Sequence, residues 1–394
     1  MTAGGYDAVL LAGFGGPEGP DDVMPFLRNV TRGRGIPEER LVEVSHHYQA
    51  LGGVSPINDQ NRALRAALEK ALRHRGLDLP VIWGNRNWEP YISDVVADAA
   101  RDGRRRLLGV ATSAYSSYSS CRQYREDFGG ALLSTGLVGE VVIDKIRPYF
   151  DTAGFIDPFA DGTAAAVQHA LDDDFDISQI EILFTTHSIP DAMADSSGAA
   201  CLGDHVPGGA YVTQHMAACA AVAAAVAGRC GATPAWQLVY QSRSGPPSMP
   251  WLEPDICDVI EGMGARGYSA AVVVPIGFVS DHVEVVWDLD HEARDAAEAA
   301  GVWFERVATP GTDRRFVAGL AALVAERLQG RRPDLTIGPV SLPQRPDFCA
   351  TGCCVNLRGA KPTTAGQDSA RDWEDTDVSA EQLIRSGIPG RLPV

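Results

Sequence analysis

The strongest constraint on this chain is an alternation: eight short apolar runs, each followed by a segment with helical periodicity or a turn leading into one. The first four runs are 6–13, 79–85, 105–113 and 139–145, and the second four are 180–186, 235–242, 268–276 and 301–307. Helical patterns at 58–75, 92–103, 120–134, 152–172, 211–228, 254–264 and 284–300 separate them, and a last one covers 313–328. Strands that alternate with helices pair in parallel, because a parallel crossover needs a connection of helix length, and the helices then cover both sheet faces. Two sets of four units predict an α/β protein of two Rossmann-like lobes, each a four-stranded parallel sheet flanked by helices, with a cleft between them. The expected division is an N-terminal lobe over 1–172, a C-terminal lobe over 173–330 and an irregular tail over 331–394. The acidic stretch LDDDFD (171–176) is the hinge candidate, and the polar tail from 360 on is expected to be largely disordered.

In open parallel sheets, ligands gather beyond the carboxyl ends of the strands. Those ends carry GFGGPEGP (13–20), GNRNWEP (84–90), TSAYSSYSSC (112–121), THSIP (186–190), QSRSGPPSMPW (241–251) and PIGFVSDHVEVVWDLDHE (275–292). Two such edges face to face make a cleft rich in aromatics, hydroxyls and carboxylates, suited to a large flat ligand and a cation. His187, directly after a buried strand, is the candidate base, since an imidazole moves protons near neutrality; a satisfied structural histidine is the competing reading. Glu284, Asp288 and Glu292 recur at i, i+4 and i+8, which stacks three carboxylates on one face of a helix expected to start at Ser280 or Asp281. Like charges so placed repel unless something positive visits them; the alternative is a solvated acidic face at a helix start. The loop GFGGPEG lacks the spacing and the lysine of a phosphate cradle, and His46 and His47 read as solvated positions on a helix.

The formal net charge of −17 speaks against a nucleic-acid partner, because phosphate neutralisation needs a basic surface. The first apolar run has strand length and lacks the basic flank of a signal peptide, and the Ala-rich tract 217–228 is short for a membrane span. A cytoplasmic protein without a transmembrane segment is expected. Eight cysteines in such a compartment are not a disulfide framework. Cys201, Cys219, Cys230 and Cys257 read as small buried hydrophobes, whereas Cys349, Cys353 and Cys354 crowd one loop and ask for a metal.

GFGGPEGP, NVTRGRGIPEERL (29–41), HYQALGGVSPIN (47–58), WGNRNWEPYI (83–92), TSAYSSYSSCRQYRED (112–127), THSIP, QSRSGPPSMPWLEP (241–254) and PIGFVSDHVEVVWDLD (275–290) resemble the ferrochelatase family. The resemblance covers residues 6 to 328 and is strongest to the actinobacterial, coproporphyrin III type. It implies two Rossmann-like lobes around a porphyrin cleft. The implied reaction inserts Fe(II), as substrate, into coproporphyrin III to give coproheme in heme biosynthesis, with release of two pyrrole protons and no nucleotide cofactor. A protoporphyrin IX ferrochelatase, or a porphyrin or heme carrier of the same fold, is the alternative.

The same resemblance places catalysis on His187 and Glu284 and a metal path on His187, Glu284, Asp288 and Glu292. Phe14 stands where some bacterial members have Tyr, so it packs on the ring without ligating iron, and Asp288 is shorter than the Glu of other members. Arg32, Arg34, Tyr48 and Ser55 match the region that anchors propionates, and Tyr115 is also expected at the substrate. Many ferrochelatases hold a 2Fe-2S cluster on three C-terminal cysteines and one internal one. Cys349, Cys353, Cys354 and Cys121 fill that pattern here, with Cys201 the other internal candidate and a zinc site the structural alternative. A monomer with transient contacts to neighbouring heme-pathway enzymes is expected.

Overall fold

A computed structural model describes residues 5–33, 35–198, 207–232, 234–244, 248–330 and 352–364. The first sheet comprises β1 (Ala8–Gly13), β2 (Val81–Asn85), β3 (Arg106–Ala111) and β4 (Val142–Lys145), connected through helices α1 (Val23–Val30), α2 (Glu38–Ala50), α3 (Ile57–His74), α4 (Ile92–Arg101) and α5 (Gln123–Ser134). After the long helix α6 (Ala153–Asp172), a second set follows: β5 (Ile180–His187), α7 (Asp191–Asp195), α8 (Gly209–Cys230), β6 (Ala235–Gln241), α9 (Ile256–Glu261) and β7 (Ala270–Val274). It closes with α10 (Val283–Trp287), α11 (Ala293–Ala300), β8 (Trp303–Arg306) and α12 (Arg314–Gln329). Both sheets are entirely parallel and share one order, β2-β1-β3-β4 and β6-β5-β7-β8. The expected pair of four-stranded α/β units is therefore present.

Each central strand is apolar on both faces, as a doubly covered parallel strand must be. Val9 and Leu11 face one core cluster, while Ala8, Leu10 and Ala12 face another; Ile182 and Phe184 oppose Leu183 in the same way. The inner faces of both sheets meet in one continuous core, filled by Leu64, Leu68 and Leu72 of α3, Phe155 and Phe159 of α6, Val222 of α8 and Phe316 of α12. Burying a phenylalanine stabilises by about 2–3 kcal/mol, so these side chains together hold the two sheets in a fixed relation. Helix α6 packs on α8 and α12, and α12 packs on α3, so the layer between the sheets belongs to both. In the stretch 171–176, expected as a hinge, Asp173 Oδ2 accepts from Trp303 Nε1 at 2.8 Å and the Phe175 and Trp303 rings stand 6.2 Å apart.

Helix α8 extends well beyond the Ala-rich tract and is, by length and composition, apolar enough to cross a membrane. Here most of it is inside the core, with Ala218, Cys219, Val222 and Val226 buried against neighbouring elements. Cys219 is fully buried, as expected of a small hydrophobe.

Candidate active site

The site is assembled where the loop after β7 meets the end of β5. A Cβ on Gly277 would stand 2.1 Å from Thr186 Oγ1 and 2.9 Å from Thr186 Cα, so only glycine permits this approach. The Gly277 amide donates to the Thr185 carbonyl at 3.1 Å. This junction brings the loop that carries His282 and Glu284 against the strand that carries His187. The expected helix start at Ser280 or Asp281 lies slightly early. His282 is the N-cap of α10, while the Asp281 carboxylate accepts from Arg306 Nη1 at 3.2 Å and from Thr309 Oγ1 at 3.1 Å. Asp281 also donates its amide to Gln60 Oε1 on α3 at 2.9 Å, a bond between the two lobes.

His187 Nε2 lies 3.8 Å from Glu284 Oε2, with the two side chains 34% and 50% exposed. Its Nδ1 contacts the Ser188 carbonyl oxygen. A carbonyl only accepts, so Nδ1 carries the proton and a neutral His187 offers the Nε2 lone pair on the Glu284 side. The Tyr211 hydroxyl donates to the His187 carbonyl at 2.8 Å and fixes the strand end. The arrangement can accept a proton at Nε2 and stabilise the resulting imidazolium with a carboxylate. His282, also on the cleft wall, is held below its ordinary pKa chiefly by burial.

The carboxylate stripe departs from the regular helix that its spacing suggests. Asp288–Glu292 is a π-helical turn between α10 and α11, in which the Ala293 amide reaches back five residues to the Asp288 carbonyl. A second π turn, Tyr118–Arg122, opens α5 on the other lobe, with the Arg122 amide donating to the Ser117 carbonyl at 3.2 Å. Such turns often mark functional positions. Glu284 faces His187; Asp288 turns inward to accept from Ser242 Oγ and, at 3.2 Å, from Gln241 Nε2; Glu292 is exposed and accepts from Trp287 Nε1 at 2.8 Å. Of the three, Glu284 lines the cleft. Among the described residues no three His, Cys, Asp or Glu side chains stand close enough to hold one metal ion together.

Burial pushes the Asp288 carboxyl up to about 7; hydrogen bonds from Ser242 and Gln241 oppose this, and the charges of Glu284 and Glu292 add to it. Between the ordinary carboxyl pKa and that value, the folded protein holds a proton the unfolded chain has released. Ionised Asp288 therefore costs stability above pH 7 and nothing below about pH 4. Asp288→Asn is expected to stabilise the protein at pH 8 by ~2 kcal/mol and to leave it unchanged at pH 4. Urea unfolding at the two pH values checks this; an equal effect at both would mean that Asp288 titrates normally.

The cleft has a volume of about 300 Å³ and is lined from both lobes. Phe14, Tyr48 and Ser55 lie on its wall, with Tyr48 and Ser55 buried and Phe14 edge-on to Phe26 at 6.4 Å. Arg32 is exposed and is not part of the lining. Arg34 lies outside the described residues. Tyr115 requires correction: it is 1% exposed, its ring lies 3.5 Å from that of His215, and its hydroxyl donates to the Ile276 carbonyl at 2.9 Å. It supports the loop after β7 from beneath and does not line the cleft. His47 also differs from a solvated position, since it stacks on Trp287 at 4.3 Å across the lobes.

Several lining residues were missed by sequence reasoning. Arg86 is buried, paired with Asp127 at 2.6 Å and stacked over Tyr124 at 4.2 Å. Tyr118, Trp251, His282 and Arg358 also line the cleft. The first four lie in strand-end motifs, so their position was a usable signal; Arg358 lies in the tail and carried none.

Of the cysteine set, Cys121, Cys353 and Cys354 are described and buried, whereas Cys349 and Cys201 lie outside the described residues. The Cys353 and Cys354 sulfurs are 3.8 Å apart. Two thiolates bound at ~2.3 Å to one tetrahedral metal stand about 3.8 Å from each other, so this pair fits a shared metal. The left-handed backbone of Cys354, φ 51°, is what lets adjacent cysteines turn to one side. The Cys354 sulfur accepts from the Gly198 amide at 3.1 Å, and Arg122, next to Cys121 in the chain, reaches the Cys353 carbonyl at 3.4 Å.

The fold and site define a two-lobed α/β enzyme with an aromatic, hydroxyl-lined interlobe cleft and a histidine facing a carboxylate. The sequence profile of the family described as Ferrochelatase matches residues 6–328, and the chain belongs to that family. It is 55% identical to the coproporphyrin III ferrochelatase of Leifsonia xyli subsp. xyli, over 92% of this chain and 94% of that protein. It is 52% identical to the coproporphyrin III ferrochelatase of Streptomyces coelicolor, over 94% and 98% of the two chains. Among solved structures, SirB from Bacillus subtilis with Fe3+ aligns with a TM-score of 0.43 at 12% identity, over 84% of this chain and 99% of that one.

Proposed function

We propose that this protein inserts Fe(II) into coproporphyrin III, giving coproheme and releasing two pyrrole protons. The observation that carries the reading is His187 Nε2 facing Glu284 at 3.8 Å inside the interlobe cleft. A porphyrin must lose two N–H protons as the metal enters, which needs a base over the ring and anionic groups for a dication. His187 takes the pyrrole protons. Glu284, Asp288 and Glu292 conduct iron toward the ring or protons away from it. Phe14 packs on the macrocycle, Tyr48 and Ser55 line its pocket, and Arg32 and Arg34 anchor propionates.

The substrate follows from relatives named coproporphyrin III ferrochelatase at 55% and 52% identity over most of the chain. Anaerobic Fe(II) insertion into coproporphyrin III and protoporphyrin IX tests it. The expected kcat/KM is at least about tenfold higher for coproporphyrin, whose extra carboxylates add charge-assisted hydrogen bonds. Preference for protoporphyrin would reverse the assignment.

The cysteine loop is proposed to hold a 2Fe-2S cluster on Cys121, Cys349, Cys353 and Cys354. The 3.8 Å sulfur separation and the burial of the described members support it, and four thiolates are what such a cluster requires. When bound, such a cluster would supply a redox-active centre held by these four thiolates.

A further inference from the structure

The C-terminal segment 352–364 is seated on α5 and on the π turn before it. A Cβ on Gly129 of α5 would stand 2.4 Å from the Thr363 amide nitrogen, so this glycine makes the seat. The Thr364 amide donates to the Arg125 carbonyl at 3.0 Å, and Thr363 and Thr364 are almost fully buried. Upstream, Asn356 Nδ2 donates to the Tyr118 hydroxyl at 3.0 Å and to Glu126 Oε2 at 3.2 Å, while its Oδ1 accepts from the Arg358 amide at 3.0 Å. Tyr118 itself donates to Glu126 at 2.9 Å and lines the cleft. The segment is therefore tied to the cleft wall, and Arg358 is held by the residue that makes the tie.

We propose that Arg358, delivered to the cleft by the C-terminal segment, binds a carboxylate of the substrate. Two arginines line the cleft among the described residues, Arg86 and Arg358. The charge of Arg86 is already matched by Asp127 at 2.6 Å, although its Nη2 has no hydrogen-bond partner. Arg358 is exposed on the cleft wall and makes no ion pair among the described residues. In a chain of net charge −17, a tetra-anionic ligand needs local cations to overcome the general field. A guanidinium at the mouth can pair with a carboxylate through two parallel hydrogen bonds. The assignment rests on the porphyrin reading of the cleft and adds a specificity-determining residue from a part of the chain beyond both lobes.

The test is fluorescence titration of the full-length wild type, Arg358→Gln and Arg358→Glu with coproporphyrin III and with its tetramethyl ester. Arg358→Gln is expected to raise the Kd for coproporphyrin III about tenfold and Arg358→Glu further, with the ester changed by less than about twofold in both. Such carboxylate dependence is not produced by a merely structural arginine. An unchanged Kd for coproporphyrin III in Arg358→Gln, or an equal loss with the ester, overturns the assignment while leaving the porphyrin reading intact. A wild type that binds neither porphyrin overturns both.

Discussion

His187→Ala is expected to lower the rate of Fe(II) insertion by about 10³-fold or more while changing the porphyrin Kd by less than about threefold, the range seen when a positioned acid–base group is lost. The asymmetry follows from geometry. The Ser188 carbonyl accepts a hydrogen bond from Nδ1–H, so Nε2 is the lone-pair atom presented on the Glu284 side. Alanine removes that base, but leaves Phe14, Tyr48, Tyr118 and Trp251 to hold the macrocycle. His282 does not substitute: it belongs to the opposite loop, and its burial keeps it a weak base. Stopped-flow metallation under anaerobic conditions, with parallel fluorescence titration, measures both quantities. Insertion at a near-normal rate by the alanine variant would remove His187 from the mechanism.

The second large effect concerns the tail. Purified wild type is expected to show visible absorption with two irons and two sulfides per chain, and Cys353→Ser to lose both, because a hydroxyl does not replace a cluster-ligating thiolate. The adjacent cysteines lie 3.8 Å apart and on one side of a left-handed turn, so one substitution removes half of a shared metal's protein donors. Metal binding is coupled to ordering of the loop that supplies the ligands, so Cys353→Ser should also expose the segment 352–364 to proteolysis. Colourless wild type containing zinc would replace the cluster by a structural zinc site.

The alternation of apolar runs and helices was enough to read both parallel sheets, since strand and helix periods are properties of neighbouring residues. The strand-end rule then brought His187 and Phe14 to the cleft, while Tyr48 and Ser55, which follow no strand, came from the family resemblance alone. It failed for Tyr115, which sits in the same kind of loop as Tyr118. One aromatic turns under the loop after β7 and the other turns toward the cleft, and nothing within TSAYSSYSS distinguishes them. The spacing of Glu284, Asp288 and Glu292 placed three acids on one helix, yet the π turn that gives each a different environment has no signature in that spacing.

What the sequence determined by itself is the architecture and the place of the candidate pair: two four-stranded parallel units, with His187 at the end of one strand and Glu284 just after another. Only the tertiary structure decided that the lobes share one core, that Gly277 presses the Glu284 loop onto the His187 strand, and that Arg358 of the tail reaches the cleft. The physical reason is the range of the interactions. Periodicity is set by residues a turn apart, whereas the approach of Gly277 to Thr186 and the seat of Thr363 on Gly129 depend on packing between segments roughly 90 and 230 residues apart in the chain.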